Sequence, residues 1–168
     1  MEFFQMFASR NLSWSRRGNP TRMVPDQIFQ GGFMNGFAFS IPYEVRVADV
    51  NYGGHVANSA VLNFFQDARL KFLANLGPYS EMDIGDGRGV ILPEAHVYYR
   101  SEMFLHDELQ IGVSVSAVKR SAFTLEYRIE RSGTLTAEGT TNLVSFDYQK
   151  RKVARLPETF KQRLERYL

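Results

Sequence analysis

The chain has 168 residues, a mass of 19.3 kDa and 44% hydrophobic residues, which suits one domain with a real core and excludes a low-complexity chain. A formal charge of +2 on scattered basic residues argues against a nucleic-acid partner, and the absence of cysteine removes disulfides, thiolate nucleophiles and cysteine-bound metals while fitting a reducing, cytoplasmic setting. No apolar run reaches the roughly 20 residues of a spanning helix, and the first residues lack a secretory-type apolar core, so no membrane association is expected.

Residues 1–36 carry four arginines, no lysine and two acidic residues, and close on Gln30-Gly-Gly-Phe-Met-Asn-Gly36. This segment reads as an N-terminal arm or leader outside the chemistry. It is an appended arm, a stretch upstream of a true start at Met23 or Met34, or an Arg-rich targeting-like leader. Asn11-Leu-Ser13 matches a glycosylation sequon and, with no signal peptide, reads as a chance match.

From Phe37 to Ala48, Ile41, Tyr43, Val45 and Val47 alternate with Pro42, Glu44 and Arg46, the pattern of a strand. Asp49 continues the inward side. Gly53 and Gly54 break the strand, and Asn58 or Ser59 is the expected cap of a helix running to Leu76. At about 100° per residue, Val61, Leu62, Phe64, Phe65, Ala68, Phe72, Leu73 and Leu76 share one face, with Asn63, Asp67 and Lys71 opposite. Arg69 falls inside the apolar face, where a guanidinium requires a partner. Asp49 is the expected carboxylate for it. Gly77-Pro78 ends the helix.

Gly85-Asp-Gly-Arg-Gly89 reads as a turn rather than a phosphate cradle, since it lacks the strand and helix of a phosphate-binding loop. Strands follow at Val90–Arg100, Leu109–Val118 and Phe123–Glu130, with a hairpin turn at Arg131-Ser-Gly-Thr134. In the next strand the apolar parity shifts between Ala137 and Val144, which predicts a bulge near Gly139. Lys119-Arg120 and Lys150-Arg-Lys152 read as charged turns. Phe160, Leu164 and Leu168 lie at helical spacing, so residues 157–168 form a closing helix. Short connections demand antiparallel neighbours, and the apolar helix demands burial. The expected fold is α+β, a curved antiparallel sheet wrapped around a long central helix over residues 37–156.

Val45-Arg-Val-Ala-Asp49-Val-Asn51-Tyr-Gly-Gly54-His55-Val-Ala-Asn58, followed by Phe64-Phe-Gln-Asp-Ala-Arg69, resembles the acyl-CoA thioesterases of the hotdog fold, in their 4-hydroxybenzoyl-CoA thioesterase-like branch. The similarity spans about residues 40–155 and includes Tyr98-Tyr-Arg-Ser, Leu105-His-Asp-Glu-Leu and Ser145-Phe-Asp-Tyr-Gln-Lys-Arg-Lys152. The resemblance implies hydrolysis of an acyl-CoA thioester to a free acid and CoA, without a metal or organic cofactor. It also implies a homodimer, often a dimer of dimers or homotetramer, with a continuous sheet across the interface and substrate between subunits.

In that family the loop before the helix holds the thioester. Unpaired N–H groups near Gly54, His55 and Val56 would polarise its carbonyl, and Gly53 and Gly54 let the backbone come close. Tyr52, Gly53, Gly54, Val56 and Asn58 are the implied substrate-binding residues, and Asp49, Asn51, His55 and Asp67 the implied catalytic set. The pattern departs at its centre. Asn51 stands where the aspartate-using branch has its catalytic acid, and Gln66 and Asp67 replace the acidic pair that other hotdog enzymes carry on the helix. An amide orients water but cannot serve as a carboxylate base. Three mechanisms remain: Asp49 supplies the acid, Asp67 supplies it at a subunit interface, or Asn51 and His55 only position water. The alternative function is a non-catalytic acyl-CoA or acyl-carrier-protein binding module. His96 and His106 lie far from His55 in sequence and give no metal-ligand spacing.

Overall fold

In the computed structural model, residues 34–168 are described, so all but the last three residues of the 1–36 arm or leader lie outside the described residues, along with the Asn11 sequon. The elements are β1 (Phe39–Glu44), a 3-10 turn (Val47–Asp49), α1 (Asn58–Leu76), β2 (Gly89–Tyr99), β3 (Glu108–Val118), β4 (Ala122–Arg131), β5 (Thr134–Asp147), β6 (Lys152–Val153), α2 (Glu158–Leu164) and a last 3-10 turn (Glu165–Tyr167). The strands form one antiparallel sheet in the order β1-β3-β4-β5-β2, with the short β6 added beside β5. One edge is β1 and the other is β2.

The core lies between α1 and the concave face of this sheet. Phe64, Phe65, Phe72 and Leu73 of α1 are fully buried against Ile41, Ile111, Leu125 and Ile129, and Phe65 stacks on Tyr127 with ring centroids 4.3 Å apart. Burying four such side chains contributes on the order of 6–12 kcal/mol relative to their exposure. Gly139 on β5 makes the close approach possible. A Cβ there would collide with the carbonyl oxygen of His96 on β2 and lie 2.8 Å from the Phe65 ring.

The chain departs from its expected pattern at several points. The first strand ends at Glu44 rather than Ala48, because Asp49 Oδ2 accepts the Arg46 N–H at 2.8 Å and folds the chain into a tight turn. Leu62 is 43% exposed rather than in the core, as it faces the open edge beside β2. The bulge falls at Thr136, not Gly139: Ile129 pairs with Ala137 and Glu130 with Leu135, while Gly139 keeps unbroken register with Tyr127 and Val97. The apolar parity shift instead marks a change of face, with Phe146 packing edge-on against Tyr148 away from α1. Leu168 is exposed, and Tyr167 takes the place expected for it by packing on Phe72 and accepting from Asn75 Nδ2 at 2.8 Å. The turn at residues 85–88 is a tight reversal with Asp86 and Gly87 both at positive φ.

Candidate active site

The loop from Val50 to Val56 closes on itself. Val50 and Val56 form an antiparallel bridge, the Asn51 N–H donates to the His55 carbonyl at 3.0 Å, and the Gly54 N–H donates to the Asn51 carbonyl at 3.0 Å. Asn51 Oδ1 accepts the Gly53 N–H at 2.8 Å, so this side chain shapes the turn. Gly54 sits at φ +84°, where a side chain would be strained. Tyr52 projects fully exposed from the tip. His55 Nδ1 lies 3.1 Å from the Val56 carbonyl oxygen, a contact that puts the proton on Nδ1 and leaves Nε2 as an acceptor.

Two of the amides expected to be unpaired are occupied. Gly54 bonds within the turn, and Val56 N–H donates to the Met103 carbonyl at 2.8 Å on the neighbouring loop. The helix start is open instead. Ala57 is the N-cap and makes no side-chain cap bond; its own N–H donates to the Asp49 carbonyl at 2.8 Å. Asn58 therefore does not cap, and its carbonyl accepts from Tyr99 OH at 2.9 Å. Among the described residues the N–H groups of His55, Asn58 and Ser59 have no partner. An uncapped N-terminus of a 19-residue helix offers those amides and the positive end of its dipole to a carbonyl oxygen or anion.

Asp49 is buried, but its partner is not Arg69. Its Oδ2 accepts both Tyr43 OH and Arg46 N–H, each at 2.8 Å. Burial, the hydrogen bond to Asp49 and the negative charge of that carboxylate push the Tyr43 phenol up to about 12. Arg69 finds its acid in the loop after the helix: Nε lies 2.6 Å from Glu81 Oε1, and Nη1 lies 3.4 Å from Tyr127 OH, which pairs with Thr141 Oγ1 at 2.8 Å. Burial alone would lower the Arg69 pKa, but Tyr127 and Glu81 outweigh it and hold the guanidinium charged. Burial raises the Tyr127 phenol despite Arg69. The need of Arg69 for a carboxylate was readable from helix phase. That Glu81 meets it depends on how the chain returns after Gly77.

A cavity of about 350 Å³ runs between α1 and the β2 edge. Leu62, Val90, Leu92, Ala95 and Leu143 make its apolar walls, while Asn63, Gln66, Arg69, Glu81 and Thr141 supply polar groups. Among the described residues, Glu81 is the one carboxylate lining it. Asp67 is on another side of the helix, bound to Lys71 Nζ at 2.9 Å in an i, i+4 pair. The structure thus brings Asn51, His55 and Asn58 together at the helix start and keeps Asp49 beneath them as a support. It holds Asp67 apart and adds Glu81, Asn63 and Thr141, which were absent from the sequence-based set. His96 pairs with Glu94 and His106 with Glu44. No metal-type cluster of three or more His, Asp and Glu side chains occurs among the described residues, and no helix there is long and apolar enough to cross a membrane.

An antiparallel sheet curved over one main helix, with a Gly-Gly turn leading into the helix, defines the hotdog class of α+β proteins. A family profile described as the thioesterase-like superfamily matches residues 45–164, and the chain belongs to that superfamily. A 1,4-dihydroxy-2-naphthoyl-CoA hydrolase of Synechococcus elongatus is 26% identical over 123 residues, spanning 72% of this chain and 90% of that protein. A putative esterase of Aquifex aeolicus is 28% identical over 99 residues, 58% of this chain and 76% of the relative. The crystal structure of a thioesterase from Thermus thermophilus complexed with coenzyme A and Zn superposes with a TM-score of 0.71 at 25% identity, covering 80% of this chain and 96% of the other.

Proposed function

We propose that the protein is an acyl-CoA thioesterase, working in the cytoplasm, that cleaves its substrate to a free acid and CoA. The observation that carries this reading is the open helix start: the Asn58 and Ser59 amides lack internal partners among the described residues, beside the Asn51–His55 turn. A thioester carbonyl oxygen accepting from these amides gains stabilisation as it becomes an oxyanion. The Asn51 amide and His55 Nε2 order a water, and Nε2 takes a proton from it as the water oxygen bonds to the carbonyl carbon. The tetrahedral intermediate then collapses, breaking the C–S bond, and the CoA thiolate leaves with the proton that Nε2 returns. Tyr52, Gly53, Gly54 and Val56 frame the substrate. Asp49 braces the loop, and Asp67 serves as the acid only if a partner subunit draws it into a site.

The free β2 edge bordering the cavity supports a homodimer in which two β2 strands pair and enclose the acyl group, with a dimer of dimers as the larger assembly. The CoA complex of the Thermus thermophilus neighbour supports CoA as the carrier.

A second reading, an acyl-CoA or acyl-carrier-protein binding module, is favoured by the amides at Asn51 and Gln66, the positions where the family resemblance implies acids. Thiol release from a panel of acyl-CoA esters separates the two. Turnover above the buffer rate that falls in His55→Ala is expected for the enzyme. Tight binding without thiol release, converted to turnover by Asn51→Asp, would establish the binding module.

A further inference from the structure

Cleavage at the helix start uses nothing of the Tyr98-Tyr-Arg-Ser101 stretch where β2 ends, yet one hydroxyl of that stretch reaches the first turn of α1. Resting on the thioesterase reading, we propose that Tyr99 is a positioning residue for the reaction. Its phenol fixes and polarises the Asn58–Ser59 peptide group, which strengthens the Ser59 N–H as a donor to the thioester carbonyl oxygen.

Tyr99 OH donates to the Asn58 carbonyl oxygen at 2.9 Å. That carbonyl and the Ser59 N–H belong to one planar group, with electron density shared between oxygen and nitrogen. A donor on the oxygen draws density from the nitrogen and leaves the N–H more positive, strengthening the bond it makes by about 10–30%. The phenol also answers the charge that develops. As an oxyanion forms against the Ser59 N–H, the Asn58 oxygen becomes more negative and the Tyr99 bond tightens. The gain therefore falls on the transition state more than on the bound ester. The preceding Ala57 carbonyl takes a donor from inside the helix, Ala60 N–H at 2.9 Å, whereas the Asn58 carbonyl is reached from another element.

Tyr99 suits this task because its backbone is tied down. It pairs with Ala137 of β5, and the next two amides, of Arg100 and Ser101, both donate to the Thr136 carbonyl, at 2.8 and 3.1 Å. Arg100 Nε holds Glu138 Oε1 on the same strand at 2.9 Å. A tyrosine has only two side-chain torsions to order, so its hydroxyl is presented at little entropic cost. The first turn of α1 has no side-chain cap to fix it. Its neighbouring groups are instead held from three segments of the chain: Val56 N–H by Met103, Ala57 N–H by Asp49, and the Asn58 carbonyl by Tyr99.

The test is Tyr99→Phe, which removes the hydroxyl and keeps the ring. Tyr98→Phe is the control, since Tyr98 is exposed on the other face of β2 under the Arg100 guanidinium. A donor worth about 100- to 1,000-fold in rate, weakened by about 10–30%, lowers kcat by about 2- to 8-fold. Thiol release from acetyl-, octanoyl- and benzoyl-CoA is expected to show that fall in Tyr99→Phe at an unchanged KM, and the parent kcat in Tyr98→Phe. A second readout needs no turnover. Ketone analogues of these esters, with a methylene in place of the sulfur and an isotope label at the carbonyl carbon, should give an NMR signal that moves downfield on binding the parent and by less in Tyr99→Phe. Parent kcat in Tyr99→Phe, a loss confined to KM, or a carbonyl signal that binding leaves unmoved or moves equally in both proteins overturns the proposal. A lower melting temperature with kcat unchanged would mark the bond as a structural tether and overturns it too. If no ester releases thiol, the thioesterase reading fails by itself, and the carbonyl signal still decides the role of Tyr99.

Discussion

Replacing Asp49 with alanine removes an acceptor that two donors share. Tyr43 OH and Arg46 N–H both bind Oδ2 at 2.8 Å, at a residue that is 9% exposed. Hydrogen bonds to an ionised group are worth about 1.5–3 kcal/mol each, and the partial exposure of Tyr43 trims that figure, so the expected loss is about 2–4 kcal/mol. In urea, with a slope on the order of 2 kcal/mol/M for a domain of this size, the midpoint falls by about 1–2 M at unchanged slope. Asp49→Asn keeps one acceptor oxygen and loses about half as much. A double-mutant cycle with Tyr43→Phe isolates their shared bond and should return a coupling of about 1 kcal/mol or more. Because the Asp49 carbonyl also holds the Ala57 N–H that precedes the helix, thiol release should fall along with stability. Asp49→Ala as stable as the parent yet wholly inactive would refute the bracing role and mark Asp49 as the reacting acid.

Other outcomes follow from single contacts. Gly139→Ala drives a Cβ into the β2 backbone and the Phe65 ring, and should cost about 3 kcal/mol or prevent folding, read by thermal unfolding. Tyr43 titrates near 12 in the fold and near 10 when unfolded, so its contribution is fully present below about pH 10 and is lost as pH rises from 10 to 12. Alkaline unfolding of Tyr43→Phe should lack that portion of the decline. Asp67→Asn breaks a half-buried i, i+4 pair with Lys71 and should change stability by no more than about 0.5 kcal/mol. A folded but inactive Asp67→Asn protein would bring the helix carboxylate into the mechanism. Light scattering should report a dimer, and a proline introduced at an outward N–H of β2 should shift it toward monomer.

Much of this molecule was legible in linear order. Strand alternation located β3 and β4 to within a residue or two, the helical period marked most of the buried face of α1, and the Arg69 anomaly announced an inward guanidinium in need of a partner, though not which one. Those features are local: side-chain direction follows the backbone period, and a buried charge demands a partner wherever it occurs. The resemblance in the stretch from Val45 to Arg69 carried the fold and the superfamily, because its residues shape one continuous turn and helix start.

In the turn before α1, the sequence determined that a tight Gly-Gly reversal enters a helix and that its expected acid is an amide. Only the tertiary structure decided which groups are free there. Met103 and Asp49 take the Val56 and Ala57 amides, Tyr99 bonds the Asn58 carbonyl, and the His55, Asn58 and Ser59 amides are left without a partner among the described residues. Likewise it chose Glu81 over Asp49 for Arg69, and set Gln66 rather than Asp67 along the cavity. The physical reason is common to all of these. Hydrogen-bond and ion-pair partners are chosen by proximity after the chain has folded back, and residues far apart in sequence carry no local signal of which donor will meet which acceptor.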